Sequence, residues 1–138
     1  MPFRNPALFD QESPVKSFFV ESFLPGATAA TAANYGNFWI APAKVVVESV
    51  QIRFSANSTS GTLQVAKVPS GTAQDSGTNL LTGTISLSTG ANTNQDGTLS
   101  ATAATIELAA GDALQLVDGG TLTSLTDLVV TVGLRWIP

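Results

Sequence analysis

Cysteine and histidine are both absent from these 138 residues. Without cysteine the chain has no disulfides and no thiolate metal sites. Without histidine it lacks the commonest general base and the commonest transition-metal ligand. Charge is scarce as well: charged residues make up 12% and the net charge is −4. The six cations, Arg4, Lys16, Lys44, Arg53, Lys67 and Arg135, are scattered. They form no basic patch of the kind that neutralises phosphates, so a nucleic-acid partner is not expected. No apolar run is long enough for a membrane-spanning helix, so no membrane partner is expected either. The opening M-P-F-R-N-P lacks the charged and apolar regions of a cleaved signal, which predicts synthesis in a cytoplasm without signal-directed export.

Hydrophobic residues, alanine among them, are plentiful at 43%, and Ser, Thr and Gly dominate the remainder. That is not the low-hydrophobicity, high-charge composition of disorder. The length suits one domain, which at this size buries about two-thirds of its unfolded surface without covalent staples.

The clearest local pattern is T-I-E-L-A-A-G-D-A-L-Q-L-V-D, from Thr105 to Asp118. It predicts two short strands around a Gly111-Asp112 turn. Ile106 and Leu108 share one face of the first strand. Leu114 and Leu116 alternate with Ala113 and Gln115 in the second. Similar units fill the chain. Phe18 to Leu24 reads as a first strand, with Phe18, Val20 and Leu24 on one side and Phe19 and Phe23 on the other. Both its faces are apolar, which suggests cover on both, either by a neighbouring arm or loop or by another subunit. Tyr35 to Ala41 is a short aromatic strand stopped by Pro42. Lys44 to Phe54 is longer, with Val46, Val50, Ile52 and Phe54 on one face and Val45, Val47, Gln51 and Arg53 on the other. Glu48-Ser49 is the expected place of a bulge. Further strands are read at Thr62 to Val68, at Asn79 to Ser88 with a bend at Gly83, at Thr98 to Ser100, and at Asp127 to Trp136.

These strands, with no intervening helical pattern, predict an all-β fold. Its expected form is an antiparallel two-sheet β-sandwich, jelly-roll-like, with an extended N-terminal arm. The arm is residues 1–17 and the β-sandwich domain residues 18–138. Pro2, Pro6 and Pro14 exclude a long helix or central strand in the arm. Phe3, Leu8 and Phe9 give it apolar side chains suited to a groove on a partner or sister subunit.

No catalytic constellation is legible, and the chain is not expected to be an enzyme or to take a small-molecule substrate. A serine nucleophile needs an adjacent base. Ser17 and Lys16 are neighbours on a strand and face opposite ways. Asp112 and Asp118 sit at turn positions where Asp is common. Asn92, Asn94, Asp96 and Gly97 imitate the first half of a calcium loop, but the acid expected at its twelfth position is Ala103. Asx turns explain the segment better, so no metal or cofactor is expected. Asn57-Ser58-Thr59 fits a glycosylation acceptor, relevant only on a eukaryotic secretory route. Tyr35, Phe38 and Trp39 have the character either of a sugar-stacking platform or of a plug at one end of the core, the second being commoner for such aromatics.

Taken together, A-T-A-A-N-Y-G-N-F-W-I-A-P at Ala30 to Pro42, G-T-N-L-L at Gly77 to Leu81, L-A-A-G-D-A-L-Q-L-V-D-G-G-T-L-T at Leu108 to Thr123 and V-V-T-V at Val129 to Val132 resemble small structural proteins of tailed bacteriophages. These include capsid decoration (cement) and head-fibre-type proteins. The resemblance covers most of residues 30–132 and does not reach the arm. It implies a virion protein on the outer capsid surface, made in the host cytoplasm, often a homo-trimer, that binds the major capsid protein and stabilises its shell. The contacts expected for that role are Phe3, Leu8, Phe9, Phe19 and Phe23. The alternative is a tail-fibre or baseplate module that binds host surface glycans through Tyr35 and Trp39.

Overall fold

The computed structural model describes residues 16–27 and 36–138, and within them the alternation of apolar residues becomes ten strands and one turn of helix. In chain order the strands are β1 (Ser17–Ala27), β2 (Asn37–Ile40), β3 (Val45–Arg53), β4 (Thr62–Val68), β5 (Thr78–Asn79) and β6 (Ile85–Ser86). After β7 (Gln95–Asp96) comes the single helical turn α1 (Ala103–Ile106). It leads into β8 (Glu107–Leu108), β9 (Ala113–Gly119) and β10 (Thr126–Trp136).

The strands form two antiparallel sheets. One runs β1-β10-β3, with β7 and β8 both pairing along the far side of β3. The other runs β2-β9-β4, with β5 and β6 both pairing along β4. If each pair of two-residue strands counts as one interrupted edge, first pairs with last and second with second-last throughout. That is a long antiparallel hairpin wrapped into a sandwich, which is the jelly-roll topology expected from the sequence.

The core lies between the sheets. Leu128, Val130, Val132 and Leu134 of β10 point inward, with Val45, Val47, Val50 and Ile52 of β3. Leu63 and Val65 of β4 meet them from the other sheet, with Leu114 and Leu116 of β9. Phe54, Leu80, Leu87, Leu122 and Leu125 fill the ends from loops.

The bulge in β3 lies where the sequence placed it. The register slips between Gly133 and Leu134 of β10, opposite Ser49 and Val47, leaving Glu48 unopposed. An extra residue reverses the alternation. The expected faces were therefore wrong on the N-terminal side of the bulge. Val45 and Val47 join Val50 and Ile52 in the core, and Val46 turns outward.

Residues 105–118 do not make the expected hairpin. Ala103–Ile106 is a helical turn, and Glu107–Leu108 pairs with Val46 and Val45 in the first sheet. After the turn, Gly111 at φ 92° directs the chain into β9 of the second sheet. The turn is a crossover between sheets. Asp112 supports it, its Oδ2 accepting the Ala109 N–H at 2.9 Å. The expected strand at Asn79 to Ser88 is two short pieces either side of a loop, because Gln64 holds that loop down. Its Nε2 donates to the carbonyls of Leu81 and Gly83, and its Oε1 accepts the Leu81 N–H. The strand expected at Thr98 to Ser100 lies instead at Gln95–Asp96, with a single bridge from Leu99 to Leu81.

The outer faces of the two sheets differ. On the β2-β9-β4 sheet, Gln64 and Gln115 are buried under the loops around β5 and β6. Gln115 and Asp75 exchange hydrogen bonds: Gln115 Nε2 donates to Asp75 Oδ1 at 2.6 Å, and the Asp75 N–H donates to Gln115 Oε1 at 3.3 Å. The outer face of the β1-β10-β3 sheet carries no comparable loop among the described residues.

Candidate interaction surface

Three large hydrophobic side chains among the described residues are exposed: Phe19 (68%), Phe23 (59%) and Ile40 (66%). Phe19 and Phe23 belong to β1 and Ile40 to β2, the edge strands on the same side of the sandwich. The opposite side ends in β5 to β8, each two residues long. Very short edge strands are one of the ways proteins blunt a sheet edge. β1, at eleven residues, is not blunted in that way.

The period of two determines what β1 presents. Phe18, Val20 and Leu24 pack against the core. The Phe18 ring stacks on Trp136 with centroids 4.5 Å apart and lies 5.8 Å from Trp39. Phe19, Glu21 and Phe23 face outward. Phe19 stands opposite Gly133, and a Cβ built on that glycine would lie 3.1 Å from the Phe19 ring and 2.4 Å from Ser49 Oγ. The glycine in β10 therefore marks a close approach across the outer face. Phe23 stands opposite Val129, beside a shallow depression of about 130 Å³ lined by Gln51, Ile52, Arg53, Asn94, Val129 and Thr131. The C-terminal end of β1 is tied down after a register shift by Asp127. Its Oδ1 accepts the Gly26 N–H at 2.7 Å, and its Oδ2 accepts from Ser55 Oγ.

The polar groups of this face are mostly matched within the chain. Arg135 Nε donates to Glu48 Oε2 at 3.1 Å, and Ser17 Oγ donates to Glu48 Oε1 at 3.0 Å. Arg53 donates to Asn94, and Gln51 Nε2 donates to Asp96 Oδ1 at 2.8 Å. These last bonds also account for Asn94 and Asp96 of the calcium-loop-like segment, which serve as cross-strand acceptors. Among the described residues no three metal-ligating side chains converge. A second open depression, about 290 Å³, lies between residues 82–86 and 95–98 at the opposite edge.

Of the residues singled out in the sequence, Phe19 and Phe23 come together on the outer face of β1. Phe3, Leu8, Phe9 and Tyr35 lie outside the described residues. Trp39 is partly buried, packed against the core beside Phe18. Ile40 and Gly133 were not singled out. An apolar residue just before a proline-flanked turn, and a glycine in the outer-face set of β10 beside Val129 and Thr131, were the available signals.

No family model matches this chain, and no curated protein does. A solved structure of Bacillus endospore appendages, described as a novel family of disulfide-linked pili, aligns with 88% of this chain and 89% of its own. The sequence identity is 13% and the TM-score 0.43, a likeness too loose to carry an argument about function.

Proposed function

We propose that this chain is a virion structural protein of the tailed-bacteriophage type, a capsid decoration protein that binds the major capsid shell from outside and reinforces it. The reading begins from the resemblance in residues 30–132. The observation that carries it is the exposure of Phe19, Phe23 and Ile40 on the edge strands β1 and β2, with a sandwich behind them whose inner-facing residues are fully committed to packing. A single-purpose binding module has this division of labour. Low charge and hydroxyl-rich strands suit packing against repeated neighbours, and a homo-trimer would shelter sheet edges. Stabilisation of the shell then follows from mass action, because a protein that binds only the assembled shell shifts its disassembly to higher temperature.

The test is co-sedimentation with undecorated phage capsids, followed by heating of the complexes. The expected result is saturable binding and a higher temperature of capsid disruption. Protein that stays in the supernatant and leaves capsid disruption unchanged would overturn the reading. The glycan-binding alternative has less support, since the Trp39 ring is engaged with Phe18.

A further inference from the structure

The geometry points to β1 as an acceptor strand: its open edge takes up an extended segment of the partner protein, with a lysine or arginine set opposite Glu21 and apolar residues two positions to either side. This deepens the decoration reading by naming how the partner is held, and it rests on that reading only for the identity of the partner.

The hydrogen-bonding register gives the first part. The Trp136 N–H donates to the Lys16 carbonyl at 2.8 Å. Ser17 stands opposite Arg135 in the same ladder, so Lys16 and Trp136 form a hydrogen-bonded pair. Such pairs recur at every second residue of an antiparallel ladder. Phe18, Val20, Ser22 and Leu24 therefore turn their N–H and C=O groups toward β10. Ser17, Phe19, Glu21 and Phe23 turn theirs away from it, and among the described residues no strand pairs with that side of β1. A row of outward donors and acceptors is a template for one more strand.

Side chains give the second part. A strand added here places its residues directly opposite Phe19, Glu21 and Phe23 on the same outer face. Phe19 and Phe23 call for apolar neighbours. Glu21 is exposed and has no hydrogen-bond or ion-pair partner among the described residues, in contrast to Glu48, Asp96 and Asp127 of the same sheet. An opposite charge directly across a strand pair is favourable and a like charge unfavourable.

These requirements also argue against this chain as its own donor. Two β1 strands paired antiparallel around Glu21 would match Phe19 with Phe23 twice but set Glu21 against Glu21. The arm has two basic residues with ring residues two positions to either side, Arg4 between Pro2 and Pro6 and Lys16 between Pro14 and Phe18. Positions opposite Phe19 and Phe23 must each donate an N–H, which proline lacks. The matching strand is thus a segment of another protein.

The experiment uses full-length protein and two synthetic peptides, acetyl-Thr-Val-Thr-Lys-Thr-Val-Thr-amide and its Lys→Glu counterpart, followed by backbone amide NMR. The lysine peptide should protect the amides of Phe19, Glu21 and Phe23 from exchange. It should bind about fivefold tighter than the glutamate peptide at low salt, and Glu21→Lys should reverse that order. Equal binding of both peptides, binding away from β1, or no binding at millimolar peptide would overturn the proposal. So would β1 amides already protected in the peptide-free protein through self-association. Capsid co-sedimentation is run in parallel. If peptide discrimination holds without capsid binding, the decoration reading fails alone; if capsid binding leaves the β1 amides exchanging as in free protein, strand acceptance fails alone.

Discussion

Replacing Phe19 with alanine should separate binding from folding, and the adjacent Phe18 provides the reverse control. A phenylalanine buries about 200 Å² when fully covered. Phe19 is 68% exposed in the isolated chain, so roughly 140 Å² of that remains for a partner to cover. At about 25 cal/mol per Å² this is worth up to about 3.5 kcal/mol, or roughly 300-fold in affinity. The part already covered, by contact over Gly133, is worth at most about 1.5 kcal/mol to folding, and that figure is an upper bound. For a chain of this size such a loss lowers Tm by about 3–6 °C. Phe18 sits on the other face of the same strand and stacks on Trp136. Phe18→Ala should cost about 3 kcal/mol of stability, near the lower end for removing a core aromatic. Thermal melts followed by circular dichroism, beside capsid co-sedimentation at fixed temperature, measure both quantities. Phe19→Ala should leave a folded protein with capsid affinity reduced at least tenfold. A Phe19→Ala variant that binds capsids within threefold of the parent while losing more than about 10 °C in Tm would refute the reasoning, since Phe19 would then belong to the fold and not to the surface.

Two further substitutions test the structural account. Asp75→Ala removes the acceptor of the buried Gln115 amide and keeps a side chain at φ 71°. It should cost about 2–3 kcal/mol in urea denaturation, whereas Asp75→Gly, which relieves the left-handed backbone, should recover about 1 kcal/mol of that loss. Gly120 and Gly26 have similar positive φ, 68° and 74°, but a Cβ on Gly120 would meet the Ser60 carbonyl oxygen at 2.2 Å while one on Gly26 meets nothing within 4 Å among the described residues. Gly120→Ala should therefore destabilise by more than about 3 kcal/mol and Gly26→Ala by only about 1 kcal/mol, again by urea denaturation.

How much of this fold can be read from residues alone depends on what each segment needed to know. β4 is bounded by Gly61 and Pro69, and its limits were read directly as Thr62 to Val68. β10 alternates without interruption, and its inward set Leu128, Val130, Val132 and Leu134 was legible for the same reason. Residues 105–118 failed because alternation reports which face is apolar and not which sheet the strand joins. Two strands linked by a tight Gly-Asp turn look the same whether they pair with each other or part company. In β3 the Glu48-Ser49 pair marks the bulge, but the reversal of faces at Val45, Val46 and Val47 follows from the register against β10, which the letters do not carry. The loop over β4 was invisible because it depends on Gln64 and Gln115. As isolated letters these read as solvent-facing residues; in the structure each hydrogen-bonds to a loop distant in sequence.

The candidate surface was half legible for a related reason. Sequence shows that both faces of β1 are apolar, and it cannot show that only one is covered by the other described residues. That asymmetry arises because β10 and the second sheet bury Phe18, Val20 and Leu24, whereas among the described residues the outer face meets Gly133, Thr131 and Val129 of the same sheet. An edge strand of this length with two exposed phenylalanines ordinarily invites aggregation. Glu21, between them, opposes pairing with an identical strand while leaving the backbone template intact for a basic one. Glu21→Ala should therefore increase self-association, measurable as a concentration-dependent rise in mass by light scattering. Phe19 and Phe23 replaced together by threonine should abolish it. A Glu21→Ala protein whose mass does not change with concentration would mean that something other than this charge keeps β1 from pairing with its own kind.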